Sequence, residues 1–258
     1  MSDGRLMLNL QTNGRDIACD RAKGGGMVKS VSAKISGQGR GEPGMVRRTQ
    51  KQRSEGTRAA LIDAARCYFG QHGFHATRTS EFVAEAEVTR GALYHHFTDK
   101  EGLFDAVVCH VAEDISRRAR QEVLARSSVQ ETVVRAWDRL LLAFDVYLRA
   151  VAEDREVQRI LLIDAPAVLG WSRWREIQSE VFMPGTMSTL HRLMELGAIH
   201  KTAPEPLAQL ILAATNDAAL AIAHADDPAL TLESHSHALM TLVSGLSISG
   251  GQTLSHSV

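Results

Sequence analysis

The run Val88-Thr89-Arg90-Gly91-Ala92-Leu93-Tyr94-His95-His96-Phe97 restricts what this chain can fold into more than any other stretch. Thr89 suits an N-cap, because its side-chain oxygen can accept from the free N–H groups of a first helical turn. Leu93 and Phe97 recur at i, i+4 and make one apolar side that must pack against something. Arg90, Tyr94, His95 and His96 then fall largely off that side, while small Gly91 and Ala92 let the backbone approach a neighbour closely. Glycine there costs about 1 kcal/mol of helix propensity relative to alanine, which suits a helix end pressed into a groove. Upstream, residues 79–86 read as a second short helix with Phe82, Val83 and Ala86 on one face. Downstream, Thr98-Asp99-Lys100-Glu101 has capping-box spacing, so one helix should end and the next begin within a few residues. Two short helices joined by a tight turn, the second exposing Arg, Tyr and His, match a DNA-reading helix-turn-helix. The plainer alternative makes residues 94–96 ordinary polar surface and Leu93 and Phe97 ordinary core.

A longer helix precedes this pair, over about residues 54–72. Ala60-Leu61, Ala64-Ala65 and Tyr68-Phe69 give it the stripe that would pack over both short helices, and Gly73 stops it. Its start would bring Arg53 and Thr57 near a DNA backbone, since a helix N-terminus is itself an anion site.

Ala64-Ala65, Phe69, Gly73-Phe74, Thr77, Phe82-Val83, Ala86 and Val88 stand in a fixed order before the run from Thr89 to Phe97, which Asp99-Lys100-Glu101 and Leu103-Phe104 follow. On those residues, the chain over 57–108 resembles the N-terminal domain of the TetR family of bacterial transcriptional repressors. One position departs from the pattern. The family usually has glycine at the corner of the helix-turn-helix, where φ is positive, and this chain has Glu87. A non-glycine residue there costs on the order of 1 kcal/mol.

The resemblance implies a symmetric dimer on a palindromic operator, with one recognition helix in each major-groove half-site. Carried over residue by residue, it places Arg90, Gly91, Ala92 and Tyr94 against base edges or their flanking phosphates, on a helix capped by Thr89. Thr79, Ser80, His95, His96 and Lys100 would mainly hold the backbone, with packing as the alternative role for His96. Arg90 is the best direct reader, because a guanidinium fits guanine O6 and N7 bidentately.

The chain has 258 residues, 44% hydrophobic and 5% aromatic, a composition suited to a helical protein rather than a β-sandwich. Its near-neutral charge hides an asymmetry: residues 1–56 carry a net +6 and the remainder −7. A basic end on an acidic body fits a protein that touches phosphates at one end. No apolar run approaches the ~20 residues that cross a bilayer, and no signal core opens the chain, so a cytoplasmic protein is expected. Cys19, Cys67 and Cys109 lack CxxC spacing and suggest neither disulfides nor zinc; Cys67 and Cys109 fall in apolar helical patterns and read as buried thiols.

Residues 1–44, with Gly24-Gly25-Gly26 and little apolar periodicity, are expected to be disordered, either a solvated tail or a basic arm on DNA. The expected domains are a helix-turn-helix domain over 45–105 and a larger helical domain over 106–249, with a flexible end at 250–258. The fold class is all-α. Past the reading head, a long helix from Lys100 would join the two domains, Ser128-Val129-Gln130-Glu131 is a second capping box, and an apolar helix over 160–166 should end at Pro166. A further helix opens at Trp171 and should kink or break at Pro184-Gly185, and the last two begin near Pro204 and Thr231. Small residues on those last two, including Ala214 and Ala218, suggest a four-helix dimer seam.

As the family implies, the larger domain should take a small-molecule effector. Trp137, Phe144, Tyr147, Leu162, Trp171, Trp174, Phe182, Met183, Met187 and His191 are candidate lining, and Asp164, Arg175, His191 and Asn216 candidate anchors. Three other classes find weaker support in the sequence. Gly245-Leu246-Ser247-Ile248-Ser249 narrowly misses G-x-S-x-G and has no strand before it, which argues against a hydrolase. His235 and His237 diverge at i, i+2 on a helix, which argues against a metal sensor, and a redox sensor would need Cys67 or Cys109. No catalytic, metal or cofactor site is expected.

Overall fold

Helix α1 runs over Gln50–His72 in the computed structural model, which describes residues 49–126 and 132–248. It therefore starts at Gln50 rather than near Ser54. Thr49 Oγ1 accepts from the Gln52 N–H at 3.2 Å, and Gln52 Oε1 accepts from the Thr49 N–H at 2.9 Å. This reciprocal cap holds turns that lie ahead of the apolar stripe, so the stripe carried no sign of them. Gly73, at φ +80°, ends the helix.

Helices α2 (Thr79–Glu85) and α3 (Arg90–His96) lie against α1, and α4 (Lys100–Arg126) packs on it as well. Leu61, Ala65, Phe69, Phe82, Leu93, Leu103 and Phe104 are fully buried between them. Asp99, not Thr98, caps α4: its Oδ1 accepts from the Gly102 N–H at 2.7 Å. Helix α4 then continues through Val107, Val108, Val111 and Ile115 to reach α5 (Val133–Glu153) and α8 (Gly170–Glu195). The basic extension at 1–44, the Ser128 capping box, the end at 250–258 and Cys19 lie outside the described residues; the described cap of α5 is Thr132.

After α5 the chain makes a single turn, α6 (Arg155–Val157), a π-helical segment Gln158–Asp164, and α7 (Ala165–Val168). Pro166 does not end this stretch as expected. Hydrogen bonds here run five residues back, with the Ala165 N–H on Ile160 O. In that register Pro166, which has no N–H, leaves the Leu161 carbonyl free, and the buried Trp174 indole N–H donates to it at 2.6 Å. The proline and the tryptophan thus complete one another. Nor does Pro184 break α8. It and Gly185 are exposed, as is Glu180, whose carbonyl the proline leaves without a donor.

Helix α8 ends in a Schellman motif, with Gly197 at φ +68° and the Ala198 N–H on Leu193 O. Helices α9 (Pro204–Ala223) and α10 (Pro228–Ser244) follow, the latter capped by Asp227 and so starting before Thr231. Contrary to the sequence expectation, α9 is long and apolar enough to cross a bilayer by length and composition. Its small residues raise the average, and its buried side, with Ala208, Ile211, Ala218 and Ile222, packs on α5, α8 and α10 as a core helix does. The fold is all-α: a three-helix head bearing the helix-turn-helix, then a larger helical domain.

Cys67 and Cys109 are half-buried rather than buried. Burial, with Asp105 nearby, pushes the Cys109 thiol up to about 11 against the pull of Arg173. A thiol held that high offers little thiolate for redox sensing.

Candidate nucleic-acid interface

The turn between α2 and α3 decides how α3 is presented. Glu87 takes φ +53°. The Val88 N–H bonds Val83 O at 3.2 Å and the Glu87 N–H bonds Ala84 O at 3.1 Å, the same pair of bonds that closes α8 around Gly197. The left-handed corner is therefore kept with glutamate in glycine's place, at a cost of about 1 kcal/mol.

Helix α3 is fixed from one side. Thr89 Oγ1 accepts from the Ala92 N–H at 3.1 Å, and Leu93 and Phe97 are buried. Arg90, Gly91, Tyr94 and His95 are exposed; Ala92 and His96 are half-buried. Tyr94, at 55% exposure, is a large ring with nothing among the described residues folded over it, as a contacting residue requires.

A groove of about 630 Å³ runs between α3 and the start of α1, lined by Gln50, Lys51, Arg53, Ser54, Thr57, Gly91, Ala92, His95 and His96. The structure thus brings Arg53 and Thr57 against four of the α3 residues singled out in the sequence. Arg90 and Tyr94 stand outside this groove, on α3's exposed surface, with exposed Ser80 and half-buried Thr79 at the start of α2. Burial, aided by His95 and Arg58, lowers the pKa of His96. Sequence reading missed Lys51 and Gln50, because the first turns of α1 were not expected. It also missed Arg58, whose guanidinium lies 5.3 Å from the Phe97 ring centroid and braces the end of α3.

Lys100 is turned inward. Its amine donates to the Phe74 carbonyl and sits 4.4 Å from that ring's centroid, and burial lowers its pKa. It holds the loop after α1 instead of standing free to meet a phosphate.

The same loop is gripped from the larger domain. Asp164 Oδ2 accepts from the Phe74 N–H at 2.8 Å, and Arg159 Nη1 donates to Gln71 O at 2.9 Å. Asp164 is therefore a tie to the reading head, not an effector anchor. Deeper in, Arg66 of α1 donates to Glu156 at 2.5 Å and to Asp114 of α4 at 2.6 Å. Gly70 lets Glu156 come this close, since a Cβ at position 70 would collide with the Glu156 side chain.

Of the effector candidates, Tyr147, Phe182 and Asn216 come together: the Tyr147 hydroxyl donates to Asn216 Oδ1 at 3.0 Å, and the Tyr147 and Phe182 rings meet edge to face at 5.3 Å. Phe144, Leu162, Trp174 and Met183 are buried core, and Trp137 and Met187 half-buried. Trp171 is 57% exposed and stacks on Trp174 at 4.8 Å; His191 and Arg175 are exposed as well. These three face solvent in the protomer, because an apolar pattern does not say which turn of a helix faces inward.

Residues 61–107 match the family described as bacterial regulatory proteins, tetR family, and residues 137–246 match the tetracyclin repressor-like C-terminal domain. The solved structure of a TetR-family transcriptional regulator from Pectobacterium atrosepticum is 33% identical, covers 78% of this chain and 98% of its own, and superposes with a TM-score of 0.65. The chain belongs to the TetR family. The HTH-type transcriptional repressor AcnR of Corynebacterium diphtheriae is 30% identical over 147 residues, 57% of this chain and 70% of that protein. The TetC protein of transposon Tn10 in Escherichia coli is 24% identical over 146 residues, again 57% and 70%. This TetR-family chain is accordingly a DNA-binding transcriptional regulator and not an enzyme, and α3 occupies the recognition-helix position of its helix-turn-helix.

Proposed function

We propose that this regulator is a cytoplasmic repressor that binds a palindromic operator as a homodimer and is released when a small-molecule effector enters its larger domain. The observation that carries the reading is α3 itself: Leu93 and Phe97 fix one face in the core while Arg90 and Tyr94 are left exposed on the other. In this reading Arg90 contacts base edges, Gly91 and Ala92 allow close approach, and Tyr94, His95, Thr79, Ser80, Arg53, Thr57 and Lys51 hold sugar and phosphate. Residues 45–105 form the reading domain and 106–249 the effector and dimer domain.

Dimerisation through α9 and α10 is supported by Leu210, Leu230 and Leu242, each more than half exposed on these helices, with Met240 beside them. Apolar side chains left open on two adjacent helices suit a self-complementary seam. Repression as the sign of regulation follows the relative named a transcriptional repressor. Selection from a random duplex pool, with sequencing of the bound fraction, tests the proposal. A palindrome enriched by a protein that sediments as a dimer is expected. No enrichment at moderate salt from a folded dimer would contradict it.

A further inference from the structure

Five polar side chains are buried among the described residues: Thr77, Gln178, Thr186, Thr189 and Thr215. The four threonines are satisfied within the backbone. Thr77 donates to Tyr68 O or Gly73 O, Thr186 to Phe182 O, Thr189 to Gly185 O and Thr215 to Ile211 O. Gln178 is 4% exposed, and neither its Nε2 nor its Oε1 has a well-formed hydrogen bond with any described residue. A primary amide brings two donors and two acceptor lone pairs, and burying it unpaired is unfavourable enough that such a group calls for a cause.

Its surroundings supply one. Gln178 lies one turn before Phe182 on α8 and beside Tyr147 of α5, whose hydroxyl is already bound to Asn216 of α9. Burial pushes the Tyr147 phenol well up, and the adjacent Gln178 amide draws it part of the way back. Polar groups from three helices thus meet around one amide that lacks a well-formed hydrogen bond, inside an apolar domain. Among the described residues under a tenth exposed no polar side chain is charged, and the buried guanidinium nitrogen of Arg135 lies about three turns before Tyr147 on α5. Arg173, on the same helix, is committed to Asp105, Glu176 and Glu180, and Arg149, beside Tyr147 in sequence, to Asp145 and Glu122. A carboxylate or an ammonium entering here would meet no counter-charge, which excludes ionic ligands more strongly than neutral ones.

We propose that Gln178, with the Tyr147 hydroxyl and Asn216, forms the polar end of the effector site and selects an uncharged molecule carrying a hydrogen-bond donor and acceptor side by side, the edge of a carboxamide or lactam. The proposal rests on the effector reading above and names the ligand class for it. Gln178 escaped the sequence reading because a glutamine inside a mostly polar helix looks like surface.

The test uses the full chain, benzamide and benzoate as an isosteric neutral and anionic pair, and thermal melting at neutral pH. Millimolar benzamide should raise the midpoint of the wild type, benzoate should not, and Gln178→Leu should lose the response to benzamide. The ligand-free Gln178→Leu variant should itself melt higher, by about 2 to 4 °C, because an apolar side chain of similar size removes the unpaired amide. A lower midpoint for that variant would mean the amide is paired within the fold, and the proposal falls. It also falls if benzamide shifts neither protein, shifts both alike, or is matched by benzoate. In any of those cases, release of operator by some other compound, unaffected by Gln178→Leu, would leave the effector reading standing and relocate its site.

Discussion

In the reading head the rings of Phe69, Phe74, Phe82 and Phe104 meet at centroid distances of 5.0 to 5.9 Å, and Thr49, Thr89 and Asp99 cap the helices around them. In the larger domain a π-helical segment replaces a regular turn, a proline lies within α8, and Gln178 is buried with no well-formed hydrogen bond. The difference is one of completeness. A core filled by interlocking rings has one good arrangement, because close-packed interiors resist small displacements. A domain with irregular backbone and unspent polar capacity has neighbouring arrangements within reach, and a ligand that binds one better than another can shift between them. The head is then best seen as a rigid reader, and the larger domain as the part that changes. Asp164, Arg159 and the Arg66 cluster connect the two.

The sharpest way to break this comparison is to remove the ring at the centre of the head. Phe69→Ala should cost about 3 to 5 kcal/mol, lowering the urea midpoint of the whole transition. A loss below about 1 kcal/mol would mean that the head repacks easily and is not the rigid partner. The connection between the two regions comes next. Arg66→Met leaves Asp114 and Glu156 facing each other and should cost about 2 kcal/mol, less than the ~3 to 5 of a fully buried pair, since all three groups keep some water contact.

That loss should also depend on pH. Burial by itself would raise the pKa of Asp114, but the Arg66 hydrogen bond and the charges of His110, Arg66 and Arg117 outweigh it and leave it lowered. A carboxylate with a lowered folded pKa contributes stability that is present above its ordinary value and lost as pH falls through the folded one. The gap between wild type and Arg66→Met should therefore be full at neutral pH and close below about pH 4. Melting curves across that range would show it, and a constant gap would assign the cluster no electrostatic part. The smallest change sharpens the comparison from inside the head. Glu87→Gly should relieve the left-handed strain and stabilise by about 1 kcal/mol, or about 2 to 4 °C in melting midpoint. No gain would mean that the glutamate side chain compensates its backbone.

The head was legible from sequence because each of its signals is local. Thr89 as a cap and Leu93 and Phe97 four apart follow from residues within one or two turns of each other, while the positive φ at position 87 was legible only through the family resemblance. The larger domain hid its main features because they are relations between distant residues. Pro166 reads as a stop until Trp174 is seen to use the carbonyl it frees. Asp164 reads as a pocket anchor until Phe74, ninety positions away, is seen on its carboxylate. Lys100 reads as a phosphate ligand until its amine is found on the Phe74 carbonyl. The start of α1 was missed for another reason: capping, with no apolar stripe, holds its first turns.

That α3 reads sequence is tested most directly by running the random-pool selection with wild type and Arg90→Ala side by side. Loss of preference at one symmetric pair of positions, with the rest of the palindrome intact, is the predicted result. An unchanged preference profile for Arg90→Ala would contradict it and move base reading to another part of the head.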